Sequence, residues 1–182
     1  DNEKTWVKVP ENMEGLNFSS PLNITIENTE GKTKEYKVLV YAFTGLPVMY
    51  INTENDTEIT SKEEYVNAHL RIVYTRSGEI FESDVTIKGR GNSTWSLPKK
   101  PYALKFDKKT SLLGEPKDKS WVLLANYTDK TNLRNEASFF MGRISNLEWT
   151  PRTHFVELFM NEVYCGTYQL CEKIKIADSR VN

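Results

Sequence analysis

Apolar and polar side chains alternate along most of this chain, and such alternation is typical of half-buried β-strands. The clearest case is the segment 70–74, in which Leu70, Ile72 and Tyr74 share one parity. The returning segment 81–87 has the same period, so the two segments predict an antiparallel hairpin. Further strands are predicted at 48–52, 102–106, 121–125, 153–160 and 163–171.

One segment has a helical period instead. Leu133, Ala137 and Phe140 recur at spacings of four and three residues, which predicts an amphipathic helix over 130–144. We expect these three side chains to pack against the strands. The fold class predicted from the pattern is therefore α+β, with a mainly antiparallel β-sheet that carries one principal helix.

The first part of the chain is predicted to be a separate β unit. Alternating residues at 22–26, a turn at 28–31 and a second strand at 36–43 predict a hairpin. The turn residues Gly45-Leu46-Pro47 mark a boundary. We predict residues 1–45 as a β-hairpin or partial immunoglobulin-like appendage and residues 46–182 as the main domain.

Composition narrows the class of protein. The 182 residues are 38% hydrophobic and 12% aromatic, which is enough for a packed core. Lys and Arg number 24 against 25 Asp and Glu, so the formal net charge of -1 gives no general attraction to nucleic acid. No apolar run approaches the roughly 18 residues of a membrane-spanning helix. We therefore predict no nucleic-acid partner and no membrane-spanning segment.

The two cysteines and two histidines predict no reactive site. Cys165 and Cys171 lie six residues apart in one predicted strand, roughly 20 Å from each other and beyond the reach of a disulfide. Their spacing also lacks the histidine partners of a zinc site. His69 and His154 fall within strand-like segments and are predicted to be structural.

The stretch 85–106, VTIKGRGNSTWSLPKKPYALKF, is the one most suggestive of chemistry. Gly89 and Gly91 bracket Arg90 and free the backbone for a tight turn or a close approach to a ligand. Lys100 and Lys105 add positive charge nearby. Backbone N–H groups and guanidinium groups both suit phosphate oxygens, so one interpretation is a phosphate cradle. The alternative is a long hairpin with a solvated basic rim.

Three blocks carry a resemblance to a known family: RGNSTWSLPKKPYALKF, WVLLANYTDKTNLRNEASFF and VELFMNEVYCGTYQLCEKI. In this order and spacing, over roughly 46–182, they resemble the CotH (spore-coat protein H) kinase-like family. The resemblance implies a fold like the N-terminal lobe of an atypical protein kinase. It also implies ATP-dependent phosphorylation of a protein substrate, with ATP and Mg²⁺ as cofactors.

The resemblance implies a nucleotide-binding role for seven residues: Gly89, Arg90, Gly91, Lys100, Lys105, Arg134 and Glu172. Lys105 shares a strand face with Ala103 and is the first candidate for the lysine that contacts nucleotide phosphates, with Lys100 second. Each could instead be a solvated surface lysine. Arg134 belongs to the family block LRN and is predicted to face the site. Glu172 is predicted either to lie beside the adenine or to be a surface acid paired with lysine.

In the family that this chain resembles, the catalytic and metal-holding acids lie in a second lobe, further toward the C-terminus than Glu172. After Glu172 only Asp178 remains before Asn182, so we predict no catalytic residue or metal ligand here. The expectation is an N-terminal portion of a CotH-type kinase that contributes ATP-phosphate contacts, binds ATP and Mg²⁺ weakly and is inactive alone. The alternative is a non-catalytic binding or structural module of a secreted or cell-surface protein. For either function, the resemblance implies an extracytoplasmic location, secreted or surface-anchored.

Overall fold

The computed structural model of this chain describes residues 22–27, 31–38 and 44–181. The chain forms two compact units, Asp1–Thr44 and Gly45–Asn182. In the smaller unit, β1 (Leu22–Glu27) pairs antiparallel with β2 (Thr33–Val38). The remainder of the predicted appendage, residues 1–21, 28–30 and 39–43, lies outside the described residues.

Seven strands of the larger unit form a closed barrel in the order β3-β4-β5-β6-β7-β9-β8. They are β3 (Val48–Thr53), β4 (Val66–Val73), β5 (Ile80–Gly89), β6 (Tyr102–Thr110), β7 (Asp118–Leu124), β8 (Thr153–Met160) and β9 (Val163–Glu172). Neighbouring strands pair antiparallel, except that β3 pairs parallel with β8 and thereby closes the barrel.

Side chains of one parity from every strand fill the interior of the barrel. Successive side chains of a strand point to opposite faces, so the sequence alternation translates directly into an inner and an outer wall. Trp121 and Phe106 are the largest side chains that are fully buried, and Leu70 and Ile72 of the predicted hairpin lie beside them in the same core. The strand segments predicted in this unit are confirmed, and Cys165 and Cys171 of β9 are free thiols as predicted.

The predicted fold class is wrong. We expected a mainly antiparallel sheet with a principal helix, like the N-terminal lobe of an atypical protein kinase. The larger unit is instead a closed mixed β-barrel with one short α-helix among the described residues. Closure depends on the parallel pairing of Val48 with Glu157, two residues far apart in sequence. Local alternation of residue types carries no information about such a pairing.

The helix α1 (Arg134–Ile144) packs on the outer wall of the barrel. Phe139 contacts a small outer cluster formed by Ala103, Val122 and Cys171. Gly142 lies so close to Thr150 that a Cβ atom there would stand 2.6 Å from the Thr150 hydroxyl oxygen. No helix among the described residues has the length and apolar character to cross a membrane.

The predicted packing side of α1 is also wrong. Leu133 and Phe140 are 58% and 52% exposed, and Ala137 is exposed as well. The barrel is met by the neighbouring side of the helix, where the Glu136 carboxylate accepts hydrogen bonds from Thr153 and Gln169. The periodic apolar stripe of α1 therefore faces away from the barrel core.

The helix begins at Arg134, later than the predicted Lys130. Asp129 determines this start, because one of its carboxylate oxygens accepts hydrogen bonds from the main chain and hydroxyl of Thr131. The other oxygen accepts a hydrogen bond from the main-chain N–H of Arg134, at 2.8 Å. These bonds hold residues 129–133 in a turn ahead of the helix.

Candidate functional site

The glycine-bearing loop that follows β5 is held in place from several sides. The Gly89 N–H donates to the Ser61 carbonyl at 2.9 Å, and the Arg90 N–H donates to the Pro101 carbonyl at 3.1 Å. The Trp95 ring packs on Gly89, where a Cβ atom would stand 2.4 Å from the ring. Gly91 has a φ of +90°, which disfavours other residues. The loop is therefore a fixed turn in which both glycines are required.

A cavity of about 460 Å³ opens beside this loop on the outer wall of the barrel. Its floor is apolar and is formed by Ala103, Val122, Leu124, Phe139 and Cys171. Its rim is formed by the loop 89–92, by Lys62 and Lys88, and by residues 172–174. We call this cavity the Arg90 cleft.

The rim of the Arg90 cleft is mainly cationic. Its charged side chains are Lys62, Glu63, Lys88, Arg90, Glu172 and Lys173. Lys62 Nζ donates to the Gly91 carbonyl at 3.2 Å, and Lys88 Nζ lies 4.7 Å from the centre of the Tyr65 ring. Four cations over an apolar floor suit a ligand with a flat apolar part and an anionic part.

Arg90 carries a charge that the protein does not compensate. Its side chain is half-buried, and none of the ion pairs among the described residues includes it. Burial lowers the pKa of the Arg90 guanidinium, and nearby Cys171 opposes this only in part. Burial raises the pKa of the Cys171 thiol to about 12, so that thiol is neutral at pH 7. A desolvated guanidinium thus lacks an anionic partner.

Glu172 lies in the wall of the same cleft, but its carboxylate is engaged elsewhere. It is fully buried and accepts hydrogen bonds from the Arg152 N–H at 3.0 Å and from Arg180 Nη1. Arg152 Nη2 lies 2.8 Å from the same carboxylate. The Arg180 guanidinium is 5.3 Å from the centre of the Trp121 ring. This buried cluster fixes the end of β9 and the segment that follows it.

The structure brings some of the predicted site residues together and separates others. Gly89, Arg90, Gly91 and Glu172 line the Arg90 cleft. Lys105 instead lines a separate cavity of about 470 Å³ beside Asp84 and Asp107. Its Nζ lies 5.7 Å from the centre of the Tyr65 ring.

Arg134 and Lys100 line two further cavities. The helix cleft, of about 290 Å³, is lined by residues that include Arg90, Lys99, Tyr127, Asp129, Arg134 and Asn135. The tyrosine cleft, of about 410 Å³, is lined by residues that include Pro98, Lys99, Lys100, Tyr102, Tyr127 and Tyr168. Arg90 is shared by the Arg90 cleft and the helix cleft.

Sequence reasoning missed Lys62, Lys88 and Lys173 of the rim. Lys88 pairs in register with Ala103, so both point outward, and strand parity was a usable signal for it. Lys62 precedes β4, which pairs with β5, and Lys173 follows β9, which pairs with β7, so strand pairing brings both residues to the cleft. No local pattern marks these two residues.

The described residues do not fit a magnesium site. No group of three or more His, Cys, Asp or Glu side chains in that part of the chain is arranged to hold a metal ion. Carboxylates around phosphate-bound Mg²⁺ are the usual arrangement in phosphoryl transfer. The two acids of the Arg90 cleft do not provide it, because Glu172 is bound to arginines.

The comparison with known proteins gives one family. No curated protein matches this chain. The model of the CotH kinase protein family matches residues 87–182, more than half of the chain, from the last residues of β5 onward. The match covers the glycine-bearing loop, the floor of the Arg90 cleft and α1, and it confirms the predicted resemblance. This chain therefore belongs to the CotH kinase protein family.

Proposed function

We propose that this CotH-type domain contributes nucleotide contacts to ATP-dependent protein phosphorylation, with the Arg90 cleft as the nucleotide site. ATP, when bound, supplies the phosphoryl group for transfer. Three features support the proposal: the family, the apolar floor and the cationic rim of the cleft. Its volume of about 460 Å³ lies in the range of small-molecule sites.

The single observation that carries the proposal is the uncompensated guanidinium of Arg90. Holding a half-buried cation without a counter-charge costs free energy, so a domain that gained nothing from it would be more stable without it. An anionic ligand in the cleft provides the missing partner. A guanidinium binds phosphate oxygens in a forked geometry, which makes a phosphate group the best match.

Each part of the cleft has a distinct role in this proposal. The floor formed by Ala103, Val122 and Leu124 takes the flat base and excludes water from it. Lys173 and Ile174 follow β9 and lie outside its ladder, so their main-chain groups are free of strand pairing at the rim. The Gly89 and Arg90 N–H groups are bonded to the Ser61 and Pro101 carbonyls, so the fixed turn at 89–91 presents the Arg90 side chain, rather than these N–H groups, to the phosphates.

Direct titration tests the proposal. ATP is titrated into the full chain by calorimetry at modest ionic strength, with adenosine as the ligand that lacks phosphate. We expect ATP to bind more tightly than adenosine. Arg90→Met should weaken ATP binding about tenfold or more, since a charge-assisted hydrogen bond is worth about 1.5–3 kcal/mol.

Lys119→Met is the matched control, because it removes one exposed positive charge on β7 away from the cleft. It should bind ATP like the parent. Equal ATP affinity for Arg90→Met and the parent would refute the proposal, and so would equal binding of ATP and adenosine by the parent.

A second candidate function is a non-catalytic binding module of a secreted or cell-surface protein. One observation favours it. Four apolar side chains are each more than half exposed: Leu133, just before α1, and Phe140, Met141 and Ile144 of α1. Exposed apolar patches are typical of contact surfaces. This candidate predicts no ATP binding by the parent in the same titration.

A further inference from the structure

The helix cleft and the tyrosine cleft form one continuous groove, because Lys99 and Tyr127 line both. The groove adjoins the Arg90 cleft through Arg90. We call it the acceptor groove. It is distinct from the cavity that holds Lys105 and from the apolar stripe of α1.

Positively charged side chains predominate along the acceptor groove, although the chain as a whole has a formal net charge of -1. Four cations line it, namely Arg90, Lys99, Lys100 and Arg134. Asp129 is the one carboxylate among its described lining residues, and it already accepts three hydrogen bonds, two from Thr131 and one from the main-chain N–H of Arg134. The Arg134 Nε is 3.8 Å from Asp129, at the limit of an ion pair.

The remaining cations are held by neutral groups. Lys99 Nζ donates to the Thr167 carbonyl at 2.5 Å and lies 4.3 Å from the centre of the Tyr168 ring. Lys100 Nζ donates to the Trp95 carbonyl at 2.8 Å. These contacts orient the two ammonium groups without neutralising them. Burial lowers the pKa of Lys99, and nearby Cys165 and Glu157 oppose that change.

Aromatic side chains give the groove a wall suited to an extended chain. The half-buried Tyr102 ring stacks on Tyr168 with ring centres 6.2 Å apart, and the Tyr168 hydroxyl donates to the Lys100 carbonyl at 2.9 Å. Tyr168 itself is buried and supports the wall from beneath. Tyr127, at 48% exposed, offers a ring to the solvent side. Tyrosine rings of this kind pack on peptide main chain and side chains at little entropic cost.

We propose that the acceptor groove binds an acidic peptide segment of the protein substrate, beside the nucleotide cleft. This inference rests on the proposed function. Carboxylate or phosphate side chains of the segment pair with the four cations, and its backbone lies along Tyr102 and Tyr127. Nucleic acid is a poorer match, because the chain as a whole has a formal net charge of -1 and so has no general attraction for a long polyanion.

Fluorescence anisotropy of labelled peptides with the full chain tests this inference. Three ten-residue peptides of alternating serine with glutamate, glutamine or lysine serve as probes, and nucleotide is left out. We expect the glutamate peptide to bind, to weaken with added salt, and to bind far more tightly than the other two. Because no nucleotide is present, a failure of the glutamate peptide to bind is distinguishable from a failure of ATP binding.

A charge-matched pair of variants locates the site. Lys100→Gln/Arg134→Gln removes two groove cations, while Lys108→Gln/Lys119→Gln removes two exposed lysines from β6 and β7. The first should weaken glutamate-peptide binding about tenfold, from two surface charge contacts, and the second should leave it unchanged.

Three results would overturn the inference. One is an equal loss of affinity in both double variants, which would mean that only overall charge matters. Another is tighter binding of a single-stranded oligonucleotide than of the glutamate peptide, which would make the groove a nucleic-acid surface. The third is equal binding of the three peptides.

Discussion

Replacing Glu172 by Gln should destabilise the barrel strongly. The substitution keeps the shape of the side chain but removes the counter-charge of two arginines. Arg180 is 3% exposed and has no other ion pair among the described residues, whereas Arg152 keeps Glu115 at 3.4 Å. Removing one partner of a buried ion pair costs about 3–5 kcal/mol, because the other charge stays buried without compensation.

Thermal and urea unfolding, followed by circular dichroism, measure this cost. A loss of about 3–5 kcal/mol lowers the melting temperature by roughly 10–20 °C in a domain of this size. The double variant Glu172→Gln/Arg180→Met should be less destabilised than the two single costs combined, since it removes both charges together.

Two outcomes would refute this reasoning. Glu172→Gln could melt within about 2 °C of the parent, or the double variant could show the plain sum of the single effects. A variant with parental stability and weakened ATP binding would instead support the sequence-based expectation that Glu172 lies beside the adenine.

Two further predictions concern stability. Phe139→Ala should lower the free energy of unfolding by about 2–3 kcal/mol and Phe140→Ala by less than about 1 kcal/mol, because Phe139 packs on the barrel and Phe140 is exposed. Equal losses measured by urea unfolding would contradict the orientation of α1. Burial alone would raise the pKa of Asp118, but Lys175, at 2.8 Å, and the Ser120 N–H hold it below its ordinary value of 3.8. Its contribution to stability is therefore present above that value and is lost as pH falls through the folded-state pKa. The free energy of unfolding should fall less steeply between about pH 5 and pH 3 in Asp118→Asn than in the parent, and parallel curves would contradict this.

Hairpins were the most predictable part of the fold. β8 has the predicted bounds, and β9 extends one residue further, to Glu172. Their turn follows from local chemistry, because Asn161 takes a φ of +47°, which Asn tolerates better than most residues. Residue alternation and turn residues determine structure over only a few neighbouring positions, so a single sequence contains this information in full.

The orientation of α1 was not predictable from its period. Phe140 belongs to the apolar stripe with Leu133, whereas Phe139 stands one position away, yet Phe139 is the side chain that meets the barrel. The polar contacts of Glu136 with Thr153 and Gln169 turn the helix to that side. Such contacts join distant segments and leave no trace in the helical period.

The candidate site was predictable in part for a similar reason. The pairing of Gly89 and Gly91 around Arg90 indicated a fixed loop with a cation at its centre, and that loop does border a cleft. Strand parity placed Lys105 on the outer wall with Ala103, but two residues along a strand span nearly 7 Å. That distance is enough to bring Lys105 among Asp84 and other acidic neighbours rather than into the Arg90 cleft.

The central claim is that Arg90 is kept unpaired for an anionic nucleotide. The most direct measurement is the melting temperature of the parent and of Arg90→Met, each with and without ATP. Without ATP, Arg90→Met should melt as high as the parent or higher, because it removes an uncompensated, half-buried charge. ATP should raise the melting temperature of the parent more than that of Arg90→Met. An equal rise in both proteins, or an Arg90→Met protein that melts well below the parent without ATP, would contradict the claim.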